Sequence, residues 1–419
     1  MKRLLLLATT TGYQIRSFGE AAEKLDVRVS FASDRCDQLD DPWRDRAIPV
    51  RFHDTSATIN TVLRAFDQKP PDGIIAVGDR PVVLAAHVAE SFGLPWHPVA
   101  GARASRNKLV SRSAMEAGGV RVPWFQPLSF TDAPNELART LPYPVVVKPL
   151  AMSGSRGVIR ANDTREFVDA FERLRALCAQ PDVLVERDPA HRGLLVESFI
   201  PGKEFAVEGW MTNGWLTVLA IFDKPDPLDG PFFEESIYIT PSREASEVQE
   251  AIEREVASAA AALGLRHGPI HAECRVNELG VHMLEIAGRP IGGLCSRALR
   301  FVAPGRDASL EELLLRHALG ENVSAYRRAP AASGVMMIPI PRAGIFKGVE
   351  GEDEARAVPD VTDVLITMKR DSLLVPMPEG KSYLGFIFAR GESPHDVEQA
   401  LRAAHAKLRF RIDRELALV

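Results

Sequence analysis

Two glutamates face one another across a turn signal in the last third of the chain. Glu273 lies in His271-Ala272-Glu273-Cys274-Arg275 and Glu285 in Met283-Leu284-Glu285-Ile286-Ala287-Gly288-Arg289, with Asn277-Glu278-Leu279-Gly280 between them. The intervening residues alternate as strands do, so two antiparallel strands joined by that turn present both carboxylates on one face. Two like charges so placed repel unless a cation lies between them. Hard oxygen donors, few in number, with phosphates completing the shell, suit Mg²⁺, with Mn²⁺ as substitute. His271 and Cys274 point to opposite faces and have no partners at metal spacing, so zinc is not implied. His271 shares the face of Glu273, where it can serve as a base or simply pack. Arg289, followed by Pro290-Ile291-Gly292-Gly293, has the fork geometry to meet a carboxylate or a developing oxyanion, and the glycines let backbone approach it.

Upstream lie groups suited to phosphate. Lys148 ends the apolar run Val145-Val146-Val147 and is stopped by Pro149. A lysine there is costly unless its ammonium meets an anion or water. The loop Ser153-Gly154-Ser155-Arg156-Gly157 follows directly and can aim backbone N–H groups at oxygen, although it is not a Walker A loop. Lys108, after Asn107, is weaker on its own. The stretch Leu194 to Glu204 suits a nucleoside. Its edge offers backbone donor and acceptor to adenine, Phe199 and Ile200 can touch the ring, and Glu204 can accept ribose hydroxyls.

The elements that position these groups fall into three parts. The first hundred residues alternate short apolar strands (Leu4 to Thr9, Val27 to Ala32, Gly73 to Val77) with helices, implying a parallel sheet covered on both faces. The turn from Thr9 to Gly12 lacks a dinucleotide fingerprint, so this lobe is expected to line one edge of a substrate cleft. From Arg106 the pattern changes to antiparallel meander, with a long Ala-rich helix opened by a capping box at Ser246-Glu247-Val248-Gln249. The last part carries strands near Ser333, Gly344 and Leu384, a final helix capped by Ser393-Pro394, and a closing edge strand from Arg409. The expected units are 1–105, 106–325 and 326–419.

With 419 residues, 46% hydrophobic and 26% charged, the chain has the composition of a soluble multidomain protein. A net charge of −5 gives no footprint for nucleic acid. The four scattered cysteines, Cys36, Cys178, Cys274 and Cys295, read as reduced thiols, and a cytoplasmic location is expected. The apolar run after Met1-Lys2-Arg3 is short for a signal peptide and suits a buried first strand, and nothing approaches a membrane span.

In order and spacing, Asn107-Lys108, Val147-Lys148-Pro149, Ser153 to Val158, Val196-Glu197, Gly202-Lys203-Glu204, Glu273 and Glu285 with Arg289 resemble the ATP-grasp superfamily of ligases. The resemblance implies an α/β (α+β) multidomain chain: an ATP-grasp unit between a preceding parallel-sheet lobe and a C-terminal α+β lobe. It implies that Lys108 and Lys148 bind ATP phosphates, that Glu197, Phe199 and Ile200 line the adenine site, and that Glu204 binds ribose. It makes Glu273 and Glu285 the metal carboxylates and Arg289 the residue that stabilises an acyl phosphate. The second metal strand commonly reads Glu-x-Asn-x-Arg in that family, whereas this chain has Ala287, which cannot ligate. The Arg289 to Gly293 segment and the C-terminal lobe are similar to bacterial L-amino acid ligases, which make dipeptides. The activity so implied joins a small carboxylate to an amine through an acyl phosphate, with catalysis assigned to Lys148, His271 and Arg289 and with release of ADP. The partners implied are small molecules, neither nucleic acid nor membrane, with a homodimer as the candidate assembly. Two alternatives stand beside it: an ATP-dependent carboxylase of the biotin carboxylase or purine-synthesis type, and a non-catalytic nucleotide-binding protein.

Overall fold

The computed structural model describes residues 1–10, 12, 14–34, 47–67 and 69–414. Strands β1 (Lys2–Ala8), β2 (Val27–Ser33), β3 (Ile48–Pro49) and β4 (Gly73–Val77) form a parallel sheet in the order β3-β2-β1-β4. Leu4, Leu5 and Leu7 are fully buried, as expected of strands covered on both faces. Helix Asp79–Phe92 leaves the end of β4 directly, so its first residue stands at the carboxyl edge of the sheet. Among the described residues, no helix is long and apolar enough to cross a membrane.

A second sheet, in the order β5-β8-β6-β7, is antiparallel: β5 (Phe125–Ser129), β6 (Val145–Pro149), β7 (Ile159–Ala161) and β8 (Gly193–Ser198). Helix Thr164–Cys178 covers it through Phe167, Phe171 and Leu174, which recur at helical spacing and are fully buried. The Gly-Ser loop joins β6 to β7 across its open edge.

The third sheet has eight antiparallel strands. It runs β13-β12-β9-β10-β11 and continues into the strands Ala332–Ile338, Gly385–Gly391 and Val361–Ile366, where β9 is Lys203–Thr212, β10 Trp215–Lys224, β11 Ile237–Thr240, β12 Gly268–Asn277 and β13 Gly280–Ala287. Three strands from beyond residue 326 therefore extend the sheet that carries Glu273 and Glu285. The sequence pattern alone put them in a smaller unit, because alternation reveals a strand but not its neighbour. The edge strand Arg409–Asp413 pairs separately with Gly344–Glu350.

Pleating sorts β12. Ile270, Ala272 and Cys274 are fully buried against helix Ser246–Leu263, while His271, Glu273 and Arg275 project from the opposite face. The helix presents Ile252, Val256, Ala259, Ala260 and Leu263 to the sheet and stops at Gly264 in the left-handed conformation. Ser246 does not form the expected capping box. Ala245 is the N-cap, Ser246 is already helical, and no side chain caps this end. The expected cap at Ser393 forms, and it is a full capping box with Asp396 as the reciprocal partner.

At the junction of the first lobe and the large sheet, three histidines are packed with two tryptophans. The ring of His317 stacks on His267 at 4.5 Å and on Trp210 at 5.3 Å, and His97 lies 5.5 Å from Trp96. A side chain at Gly288 would meet His97 at 3.0 Å, so glycine lets the chain pass here just before Arg289. Burial lowers the pKa of both His97 and His317 from 6.5 to about 4. The unfolded chain therefore binds more protons between those values, and the stability these neutral rings contribute is present above pH 6.5 and lost as pH falls through 4. Thermal unfolding followed from pH 7 to 4 should show a falling midpoint, and His317→Asn should flatten that fall.

Candidate active site

The three sheets meet around one cavity of about 330 Å³. Thr9 and Gly12 line it from the parallel-sheet lobe, as expected for a cleft edge. Lys108, Lys148, Ser153, Gly154, Ser155, Glu197, Phe199, Ile200, Glu204, His271, Glu273, Glu285 and Arg289 all line it too. Of the residues given a catalytic, nucleotide-binding or metal role from the sequence, Gly157 alone stays outside the lining. Its N–H donates to the Pro378 carbonyl at 2.7 Å, so that amide is not aimed at a phosphate.

Lys148 and Glu197 lie on adjacent strands, and Val146 pairs directly with Glu197. The ammonium of Lys148 stands 2.5 Å from Glu197, which also accepts from Arg112 Nε at 2.7 Å. Arg112 is 1% exposed and donates its remaining nitrogens to the Met283 and Leu284 carbonyls at 2.9 and 2.7 Å. Burial opposes charge on Glu197, yet Arg112 and Lys148 overcome it and hold the carboxyl below its usual range. Burial lowers the pKa of Lys148 despite that pairing. Glu197 thus carries two cations at the cavity wall. Farther along, the Ser198 and Phe199 amides donate to the Trp124 and Pro144 carbonyls, and the Ile200 carbonyl accepts from Arg275. The Phe199 ring remains a cavity wall, with the Arg160 guanidinium 4.1 Å from its centre.

Glu204 is likewise occupied. Lys224 reaches one oxygen and Arg275 the other, both at 2.8 Å.

Glu273 and Glu285 stand directly opposite one another in register, with a bulge just after Glu273. Each already has a lysine. Lys108 lies 3.0 Å from Glu285 and donates to the Met152 carbonyl at 2.7 Å, tying the carboxylate to the start of the Gly-Ser loop. Asn107 caps that helix by accepting from the Leu109 and Val110 amides, which fixes Lys108 at its first turn. Lys224 lies 3.2 Å from Glu273, 2.8 Å from Glu204 and 2.6 Å from Glu235, with its side chain 3% exposed. The three carboxylates raise its pKa well above the ordinary value in spite of burial. Burial and the neighbouring Glu273 charge push Glu235 up to about 7, while Lys224 and His271 hold Glu273 well below its usual range.

Lys224 and Glu235 were missed in the sequence. The signal for Lys224 was present: Ala220-Ile221-Phe222-Asp223-Lys224-Pro225 repeats the apolar strand, lysine and proline of Val145 to Pro149. Glu235, in an irregular stretch before β11, had no comparable mark.

His271 pairs in register with Glu208, a carboxylate buried completely. Its Nδ1 is 3.2 Å from Glu208 and its Nε2 is 3.7 Å from Glu273. Burial works against a charged ring, but the two carboxylates prevail and raise its pKa to about 9. The two carboxylates thus favour the protonated ring, which works against its expected role as a base. Glu208 also accepts from the Ile291 amide at 3.1 Å and so fixes the chain just beyond Arg289.

Arg289 lies two residues past the end of β13. Its Nε donates to Asp79 at 2.8 Å, and Asp79 is the first residue of helix Asp79–Phe92. Arg289 holds that carboxyl below its usual range against the effect of burial. Nothing near Asp79 in the sequence marked it. Cys178, Cys274 and Cys295 are buried and free, with their thiol pKa values raised by burial, and Cys36 lies outside the described residues.

With this geometry in place, comparison with known proteins is specific. Residues 19–96 match the ATP-grasp N-terminal domain, residues 141–298 the ATP-grasp domain, and residues 336–413 the L-amino acid ligase C-terminal domain 2. The chain belongs to the ATP-grasp superfamily. Within it, the solved L-amino acid ligase from Bacillus licheniformis is similar end to end, with 28% identity, 99% of both chains covered and a TM-score of 0.83. An uncharacterized protein of Sinorhizobium fredii is 24% identical over 96% of this chain and 82% of its own length. Dapdiamide A synthase of Enterobacter agglomerans is 28% identical over 45% of this chain, which spans less than half of that protein (43%). N5-carboxyaminoimidazole ribonucleotide synthetase from Thermotoga maritima, at 15% identity and a TM-score of 0.70, shares the fold.

The ion pairs around Lys148 make a prediction about folding. Lys148→Ala leaves Glu197 still bonded to Arg112, so the protein should stay folded. Glu197→Ala strands two buried cations and should cost about 3–5 kcal/mol, read as a drop in the denaturant midpoint.

Proposed function

We propose that the protein ligates a small carboxylate, an amino acid, to an amine at the expense of ATP, through an acyl phosphate and with release of ADP and phosphate. The observation that carries this reading is the in-register pair Glu273 and Glu285, set in one cavity with Lys108, Lys148, Lys224 and Arg289. The likeness to an L-amino acid ligase over both whole chains supports the choice of an amino acid. Likeness to carboxylating synthetases extends to fold alone.

The donor set suits a hard cation. Oxygens of Glu204, Glu235 and Glu273 lie within 4.8 Å of one another, and Glu285 faces Glu273. Glu273 and Glu285 would hold Mg²⁺, which when bound neutralises phosphate charge, and Ala287 contributes no ligand to it. In this reading Lys108, Lys148 and Lys224 turn from their carboxylates toward phosphate oxygens. Ser153 and Ser155 add donors from the loop. Phe199 and Ile200 wall the base. Arg289, fixed by Asp79, stabilises the negative charge that gathers on the acyl phosphate and on the tetrahedral species formed by the amine. His271, held between Glu208 and Glu273, adds positive charge to the same region.

A pairwise amino-acid screen should find ADP and phosphate released together, with a coupled product of dipeptide mass. Hydroxylamine in the quench should trap a hydroxamate of the activated acid. Arg289→Ala should lower kcat by on the order of 10²–10³ with ATP affinity nearly intact, because the contact is made mainly in the transition state. Formation of AMP, or ATP turnover that depends on bicarbonate and no amino acid, would overturn the reading.

A further inference from the structure

The Gly-Ser loop is held from a direction that the nucleotide site does not explain. A turn of the C-terminal region, Val375 to Lys381, reaches across to the loop and helices that flank the β5-β8-β6-β7 sheet and meets them at four points. The Gly157 amide donates to the Pro378 carbonyl at 2.7 Å. Gly157 has a φ of 74°, and a Cβ there would meet Pro149 and Leu177 side chains at 2.8 and 2.9 Å, so this close seat requires glycine. Arg156 reaches the turn through Nε, which donates to the Glu379 carbonyl at 3.0 Å, while its terminal nitrogens hold it to its own side, one donating to Gln180 at 3.0 Å and the other 3.2 Å from Asp182, which Lys381 of the turn also meets. From the same turn, the Glu379 carboxylate is paired with Arg173 and Lys381 lies 2.8 Å from Asp182. The turn is itself firmly shaped, since Gly380 donates to the Pro376 carbonyl at 2.9 Å, and two residues past Lys381 comes Tyr383. Lys381 and Tyr383 both line the cavity, and the next residue, Leu384, donates to Ile338 of the large sheet.

One turn thus has two attachments. Its outer side clasps the loop that bears Ser153 to Ser155, and its inner side forms a wall of the cavity through Lys381 and Tyr383. We infer that Arg156 is a positioning residue, and that this clasp makes closure over the nucleotide and closure over the substrate a single event. The inference rests on the ligase reading given above. A ligand on either side favours the same clasped arrangement, so each strengthens the binding of the other, and the coupling is reciprocal. The clasp also keeps water from the activated acid until the amine attacks.

The full-length protein tests this in two ways. Hydrogen exchange of the peptide spanning residues 150–160, with a nonhydrolysable Mg·ATP analogue bound, should show a protected Gly157 amide. Arg156→Ala should lose that protection, and so should the milder pair Arg173→Ala with Glu379→Ala, whose side chains are partly exposed and whose loss leaves no buried charge. Second, the wild type should bind the analogue at least fivefold more tightly with a productive amino acid present, and release about one ADP per coupled product. In Arg156→Ala the enhancement should fall toward onefold and the ratio of ADP to product should rise severalfold, with Arg156→Lys between the two. A residue that merely supported the fold would weaken analogue binding equally with and without amino acid and leave the ratio at one. Wild-type exchange, coupling and ratio in both variants would overturn the inference. Absence of any amino-acid-dependent ADP release in the wild type would sink the ligase reading instead, while the exchange experiment would still decide on the clasp.

Discussion

Carboxylates crowded into one cavity must each be given a cation, and the cavity of this protein is organised around that requirement. Glu197, Glu204, Glu235, Glu273 and Glu285 all line it, and an unpaired ionised group at such depth is costly enough to lose its charge or unfold its surroundings. The chain answers with lysines from three elements. Lys108 comes from a helix start, Lys148 from the end of β6 and Lys224 from the end of β10. Where one ammonium serves three carboxylates, around Lys224, the remaining imbalance appears as the raised pKa of Glu235. The site is therefore loaded with charge of both signs before any ligand arrives. A nucleotide with its metal brings phosphate oxygens for the lysines and a cation for the carboxylates, so the exchange of partners leaves few charges uncompensated.

Strand register is what makes this arrangement possible. Glu273 must fall opposite Glu285, and His271 opposite Glu208, and a slip of one residue in β12 would turn both His271 and Glu273 into the apolar layer beneath helix Ser246–Leu263. Ile270, Ala272 and Cys274 fix that register by needing burial on the other face. The apolar half of the strand thus positions the polar half.

Much of this could be read in the sequence, and the parts that could not share a physical cause. The carboxylate pair was legible because a turn signal between alternating strands specifies register locally. Lys148 was legible because an ammonium at the end of an apolar strand needs an anion, and the same reasoning carried two residues farther along β10 would have found Lys224. The commitments of Glu197 and Glu204 were not legible, since their partners Arg112 and Arg275 lie 85 and 71 residues away and are brought to them only by the fold. Asp79 is 210 residues from Arg289 and opens a helix of the first lobe. The continuation of the large sheet beyond residue 326 was hidden for the same reason: a strand records its own alternation, not its neighbour. His271 shows the limit most plainly. Its position was correct, but its protonation state depends on Glu208, which no local pattern marks.

The central claim is that a carboxylate attacks the terminal phosphate of ATP in this cavity. Oxygen transfer tests it most directly. An amino acid labelled with ¹⁸O in its carboxyl group should, when coupled by the protein, pass one labelled oxygen to the released inorganic phosphate, measured by mass spectrometry. Coupled product formed together with phosphate that carries no label, or label recovered in AMP, would contradict the account.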